Sequence, residues 1–246
     1  MESWGEMMLE LLNRAYQKRP QMLAAGFVLL LAGCTGPEPA TGLGEKTAWQ
    51  PPADTSRWQV DHENSELELR VYRAGPLASF GHNHIIEFPL NGVVYRGDDI
   101  ASSGFRLVVP LQRAVIDRPA ARAAAGEEFS KEISSQARSG TRENMLGPDL
   151  LDAASHPEIV IESVSISGSS PDIMATLRIR LKGKVFERAF AARSSDEGDR
   201  LFIDAHFTLT QSGLGLEQYS ALGGGLKVRD DFDAWLHIEA ENLAGD

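Results

Sequence analysis

The chain is 246 residues long and carries 24 Lys and Arg against 35 Asp and Glu, a net charge of −11, with one cysteine. So acidic a surface argues against nucleic acid and against docking on anionic headgroups, and a single cysteine rules out an internal disulfide. Length alone admits one large domain or two small ones.

The first segment reads as an export signal. Lys18 and Arg19 precede an apolar run from Met22 to Ala32, and small residues lead to Cys34. The run holds eleven residues, well short of the ~20 that a helix needs to cross a bilayer. Leu31-Ala32-Gly33-Cys34 resembles the lipobox of bacterial lipoproteins, in which the signal is removed before the cysteine and its thiol is diacylated. The resemblance implies a signal peptide over 1–33 and lipidation at Cys34. Thr35 in place of an aspartate is similar to the sorting pattern that sends such proteins to the outer membrane. The stretch before Lys18 is long for a leader and carries Glu2, Glu6 and Glu10, so Met7 or Met8 is an alternative start. Glu2, Glu6 and Glu10 balance Arg14, Lys18 and Arg19, so the mature chain keeps the whole negative charge.

From Thr35 to about Ser56, Pro, Gly, Thr and Ala dominate, as in a flexible tether that lifts a domain off a bilayer. The expected organisation is therefore a tether over 34–56 and one folded domain over 57–246, held at a bacterial envelope on its periplasmic side.

Within that domain, short segments alternate apolar and polar residues with period two, the pattern of strands with one buried face. Leu67, Leu69 and Val71 share one face. The same alternation places together Phe105, Leu107 and Val109; Ile173, Ala175, Leu177, Ile179 and Leu181; Leu201, Ile203, Ala205, Phe207 and Leu209; and Phe232, Ala234, Leu236 and Ile238. Asn91-Gly92, Gly168-Ser169-Ser170-Pro171 and Lys182-Gly183-Lys184 mark turns between them. About eight strands with hairpin-length links indicate a sandwich or a closed barrel. Pro119 to Met145 breaks the pattern: it is rich in Ala, Glu, Gln and Arg and is followed by Gly147-Pro148, which predicts one or two helices capping an end of the β unit.

Several motifs in this order resemble the YceI-like, polyisoprenoid-binding, lipocalin-like proteins of bacterial envelopes. They are Trp58-Gln59-Val60-Asp61 with Asn64-Ser65, Arg142 to Leu146 leading to Leu150-Leu151-Asp152, and His156-Pro157-Glu158-Ile159. The hairpin from Leu177 to Phe190 with Gly183 at its turn follows, then Phe207-Thr208-Leu209, Gly213-Leu214-Gly215 and Val228-Arg229-Asp230. Gly81-His82-Asn83-His84 departs from the commonest pattern of the family and is similar to a G-H-[DN]-H subset. The resemblance implies an all-β domain: an eight-stranded antiparallel lipocalin-like barrel around an elongated apolar interior. It also implies a long-chain isoprenoid ligand, a quinone or polyprenyl lipid, with no cofactor required and no catalysis.

The residues expected to meet that ligand are Leu67, Leu69, Val71, Phe105, Leu107, Leu177, Ile179 and Phe207 on inward faces, with Phe80, His82, His84, Ile86, Phe88 and Trp235. His82 and His84 are two apart, so on a strand they share a face with Phe80, Ile86 and Phe88. Two functional readings follow. They hydrogen-bond a quinone carbonyl at the barrel mouth, or they hold a metal with His206 or His237 as third ligand, the basis of a metal-dependent or redox-linked enzyme. The plain alternative is one histidine bonded to backbone and the other solvated. A barrel packed solid would instead make a structural or partner-binding module. No phosphate-cradling glycine loop, nucleophile elbow or paired-carboxylate motif is present.

Overall fold

The computed structural model describes residues 50–242. The expected signal segment, Cys34 and the expected tether up to residue 49 lie outside the described residues. Twelve strands are present: β1 (Ser56–Val60), β2 (Glu66–Ala74), β3 (His84–Pro89), β4 (Asn91–Arg96), β5 (Gly104–Pro110), β6 (Val115–Ile116), β7 (Glu158–Ser169), β8 (Asp172–Leu181), β9 (Lys184–Asp196), β10 (Arg200–Thr210), β11 (Ser220–Ala221) and β12 (Leu226–Asn242). Two helices, α1 (Pro119–Ala124) and α2 (Ser135–Leu146), lie between β6 and β7.

Eight of the strands close on themselves in the order β1-β4-β5-β7-β8-β9-β10-β12 and back to β1. Every pairing is antiparallel, and the ring closes where Trp58 pairs with Asn242 and Val60 with Ala240. The domain is thus the closed eight-stranded antiparallel barrel that the resemblance implies; the sandwich does not form. Of the remaining strands, β2 and β3 prolong β1 and β4 past a break, and β6 prolongs β5. At the break the buried Ser65 hydroxyl replaces the missing ladder: it accepts from the Glu239 amide at 2.9 Å and donates to the Glu239 carbonyl at 3.1 Å.

Alternation decides which way each strand faces. Phe232, Ala234, Leu236, Ile238 and Ala240 on β12 are buried, as are Ile173, Ala175, Leu177, Ile179 and Leu181 on β8. Their neighbours Arg178 and Arg180 point outward and pair with Glu187 and Glu162. Between β8 and β9, Lys182 and Gly183 both take positive φ, 49° and 71°, the geometry of a two-residue type I′ hairpin turn.

Helix α2 begins at Ser134, whose hydroxyl accepts from the Ala137 amide at 3.1 Å, and it buries Met145 and Leu146. It sits at one end of the barrel. Of the one or two helices expected to cap an end, α2 is the cap, while α1, with Pro119 in its first turn, packs elsewhere. Ala121 packs with Ile85 and Phe129 in a small second core, against the face of β3 opposite to the one that Ile86 and Phe88 give to the barrel.

Candidate functional site

Two cavities lie inside the barrel. The larger, about 430 Å³, has apolar walls from Val94, Phe105, Ile173, Ala175, Leu177 and Phe207 among others. Its mouth is polar, with Arg96, Asp98, Asp99, Ser169, Ser170 and Asp196 around it and an ion pair between Arg96 and Asp196. The smaller, about 250 Å³, lies under α2 and is lined by Val71, Phe80, His82, His84 and Ile86 with Thr141, Asn144 and Met145. No residue lines both. Phe88 and Leu107, at 1% and 0% exposure, line neither. Side chains of this size fill the middle of an eight-stranded barrel, whose bore is only wide enough for packed side chains or one slender ligand.

The fourteen residues expected to meet a ligand therefore separate. Phe105, Leu177 and Phe207 line the larger cavity, and Val71, Phe80, His82, His84 and Ile86 the smaller. Leu67, Leu69, Phe88, Leu107 and Ile179 belong to the packed core without lining either.

Trp235 is displaced from its expected place. It alternates with the buried Ala234 and Leu236 and so faces outward, stacked on His206 at 4.2 Å with the Arg70 guanidinium 4.0 Å above its ring. Phe80 lines the smaller cavity from a single 3₁₀ turn, Ala78–Phe80, instead of from a strand shared with the histidines, and is 64% exposed. His82 precedes the strand, which starts at His84. At Gly81 the chain passes close to the first residue of β12, since a Cβ there would lie 2.7 Å from the Leu226 side chain.

A polar network fixes His84. Its Nδ1 lies 2.6 Å from Asp117 Oδ2, which directs Nε2 toward the smaller cavity, 3.4 Å from Thr141 Oγ1. Asp117 also accepts from the Ile85 amide at 2.9 Å and from Arg122 at 2.7 Å. Arg122 in turn donates to the carbonyls of Asn83 and Lys131. Burial alone would raise the Asp117 carboxyl, but the bonds from His84, Ile85 and Arg122 outweigh it and hold the group below the ordinary carboxylate range. His82 is pushed down from the ordinary histidine value, first by burial and then by the charges of Lys131, His84 and Arg122.

The metal reading loses its third ligand. The rings of His82 and His84 are 6.0 Å apart. His206 and His237 lie on the outer face, one against Trp235 and the other bonded to Asp204 at 2.6 Å. Among the described residues, the one set of three acidic or histidine groups whose ligand atoms converge is Asp61, Glu239 and Glu241, which does not include the histidine pair.

Fold and site define a class, a closed lipocalin-like barrel with an apolar internal cavity and a polar mouth. Two solved structures share this fold. BcnA of Burkholderia cenocepacia aligns at a TM-score of 0.54 with 12% identity, over 73% of this chain and 98% of its own. A polyisoprenoid binding domain from Saccharophagus degradans, implicated in plant cell wall breakdown, aligns at 0.51 with 10% identity, over 75% and 98%. No family model matches the sequence, and no curated protein matches it. At such identities the likeness is one of fold, and that fold is the one the YceI-like resemblance implies.

Residues that sequence reasoning left out of the site are Asp117 and Thr141 beside His84, Phe190 in the larger cavity, and Arg96 and Asp196 at its mouth. Ile173, Ala175 and Ile203 were legible as inward-facing. Asp117 carries no local signal, since only the fold brings it to His84.

Proposed function

We propose that the chain is a non-catalytic carrier of a long-chain isoprenoid, a quinone or polyprenyl lipid, working on the periplasmic side of a bacterial envelope and anchored at the outer membrane through acylated Cys34. The observation that supports it best is the apolar cavity of about 430 Å³ inside a closed barrel, within the range of about 300–1,000 Å³ common for small-molecule sites. An isoprene unit takes roughly 100 Å³ at interior packing density, so the cavity has room for about four. Each buried unit contributes roughly 4 kcal/mol before the entropy of association is subtracted. The polar mouth around Arg96 and Asp196 suits a head group that stays wet. The solved polyisoprenoid binding domain of the same fold agrees with this reading.

His82 and His84 take a polar head group only from a ligand lodged in the smaller cavity, because neither histidine lines the larger one. The test is organic extraction of the purified protein followed by mass spectrometry. An isoprenoid at near one-to-one stoichiometry is expected; a lipid-free extract, together with no uptake of added lipid, would sink the proposal.

The second reading is an enzyme, favoured by the His84–Asp117 pair, since a carboxylate holding one imidazole nitrogen leaves the other oriented for a proton or a metal. Metal analysis of the protein and of a His82→Ala/His84→Ala double variant separates the two readings. Bound metal lost in the variant would support the enzyme.

A further inference from the structure

Strands β9 and β10 leave a gap in the barrel wall. Strands β9 and β10 exchange ladder pairs at only four positions, from Arg193 with Asp204 to Asp196 with Leu201. By contrast, β8 and β9 pair at ten positions and β10 and β12 at eleven. Beyond Arg193 and Asp204 the two strands run on, to Lys184 and Thr210, without a mutual ladder.

Side chains span the gap instead. The rings of Phe190 and Phe207 meet with centroids 4.3 Å apart. Lys184 donates to the Gly215 carbonyl at 2.8 Å, and Arg188 to the Gly213 carbonyl at 3.3 Å. Phe190, Ala192, Ala205 and Phe207 all line the larger cavity, yet each remains partly exposed. At the head of the gap the inside meets the outside: Ile173, Ala192, Ala205 and Leu236 border both the larger cavity and an outer groove of about 520 Å³.

Two physical arguments turn this gap into a passage. Moving a phenylalanine ring aside breaks no backbone hydrogen bond, so the seam opens at less cost than any fully laddered pair. A space for about four isoprene units also cannot hold a longer polyprenyl chain, and the seam is where the surplus can leave.

We propose that an isoprenoid chain passes sideways through the barrel wall, between β9 and β10 at Ala192 and Ala205, and that a chain longer than the cavity rests its remainder in the outer groove. The inference rests on the carrier reading and adds to it the route and the place of the excess chain.

The experiment uses the full chain with Cys34→Ser as parent and an Ala192→Cys/Ala205→Cys pair on that background. Uptake and release of the fluorescent chain probe cis-parinaric acid are followed by stopped flow, with the disulfide confirmed by mass. Oxidation is expected to slow uptake and release at least ten-fold, and reduction of the same sample to restore both. A Phe190→Ala variant of the parent, which needs no crosslink, is expected to accelerate both. Equal rates in the oxidised and reduced forms, or no acceleration by Phe190→Ala, would overturn the lateral route and leave the carrier intact. A parent that takes up no probe at all would overturn the carrier reading itself, and the route with it.

Discussion

His84 and Asp117, 33 residues apart in sequence, meet at 2.6 Å with the carboxylate buried. The same carboxylate holds Arg122, which ties β3 to α1 and to the carbonyl of Lys131. Asp117→Asn removes a charge from this set and leaves the Arg122 guanidinium buried without its counterion, at a cost of about 3 kcal/mol. Urea denaturation checks the figure. A His84→Gln variant, which keeps the Asp117–Arg122 pair, is expected to lose less.

Acid sensitivity follows from the same group. Because the Asp117 carboxyl titrates lower in the folded chain than in the unfolded one, its stabilisation is complete above the unfolded value of about 3.9 and is lost as pH falls through the folded value. Stability measured from pH 5 down to pH 2 should fall less steeply in Asp117→Asn than in the parent. His82 provides a second readout. NMR titration should place its midpoint below the ordinary 6.5, and Lys131→Ala should raise it.

Ala175 is 5% exposed and lines the larger cavity. Ala175→Phe therefore grows into empty space instead of packed neighbours, and the overpacking cost of about 1–3 kcal/mol should be largely avoided. The expected outcome is at least a ten-fold loss of isoprenoid affinity with stability within about 1 kcal/mol of the parent, read by lipid titration and denaturation side by side.

Phe88→Ala acts on the partition between the cavities. Removing a fully buried ring costs about 3–5 kcal/mol, and if the ring divides the lumen its removal joins spaces of about 430 and 250 Å³. The variant should retain longer prenyl chains than the parent in a series of chain lengths. An unchanged length preference would show that the ring is not the barrier.

Trp235→Ala removes the surface between Arg70 and His206. A loss of about 1–2 kcal/mol is expected from the stack and the cation–π contact. Isoprenoid short enough for the larger cavity should be extracted at the parent's level, since the ring lies outside the wall, whereas a longer chain resting in the outer groove that Trp235 lines should be retained less.

Much of this architecture was legible because period-two alternation is a local signal. Once Leu67, Leu107, Leu177 and Leu236 are assigned inward, the strands and their faces follow. Trp235 shows what happens when residue type is weighed above position: its place between Ala234 and Leu236 puts it outside, although its ring suggests a ligand wall. The division of the lumen was not legible, because Phe88 and Leu107 alternate inward just as Phe105 and Leu177 do. Whether an inward residue fills space or lines it depends on what faces it across the barrel. The seam was equally hidden, since β9 and β10 both read as full strands and only their splay removes the ladder.

One consequence concerns how the molecule is made. Strand β12 borders β10 along one edge and β2 and β1 along the other, and the ring closes only when Asn242 reaches Trp58. A chain emerging from its amino end would therefore wait for residue 242 before the hydrophobic interior could be sealed, a topology dominated by distant contacts and expected to fold slowly. The same adjacency makes residues 58 and 242 neighbours, so a circular permutant joining them through a short linker and opened at the Lys182-Gly183 turn should assemble the same barrel.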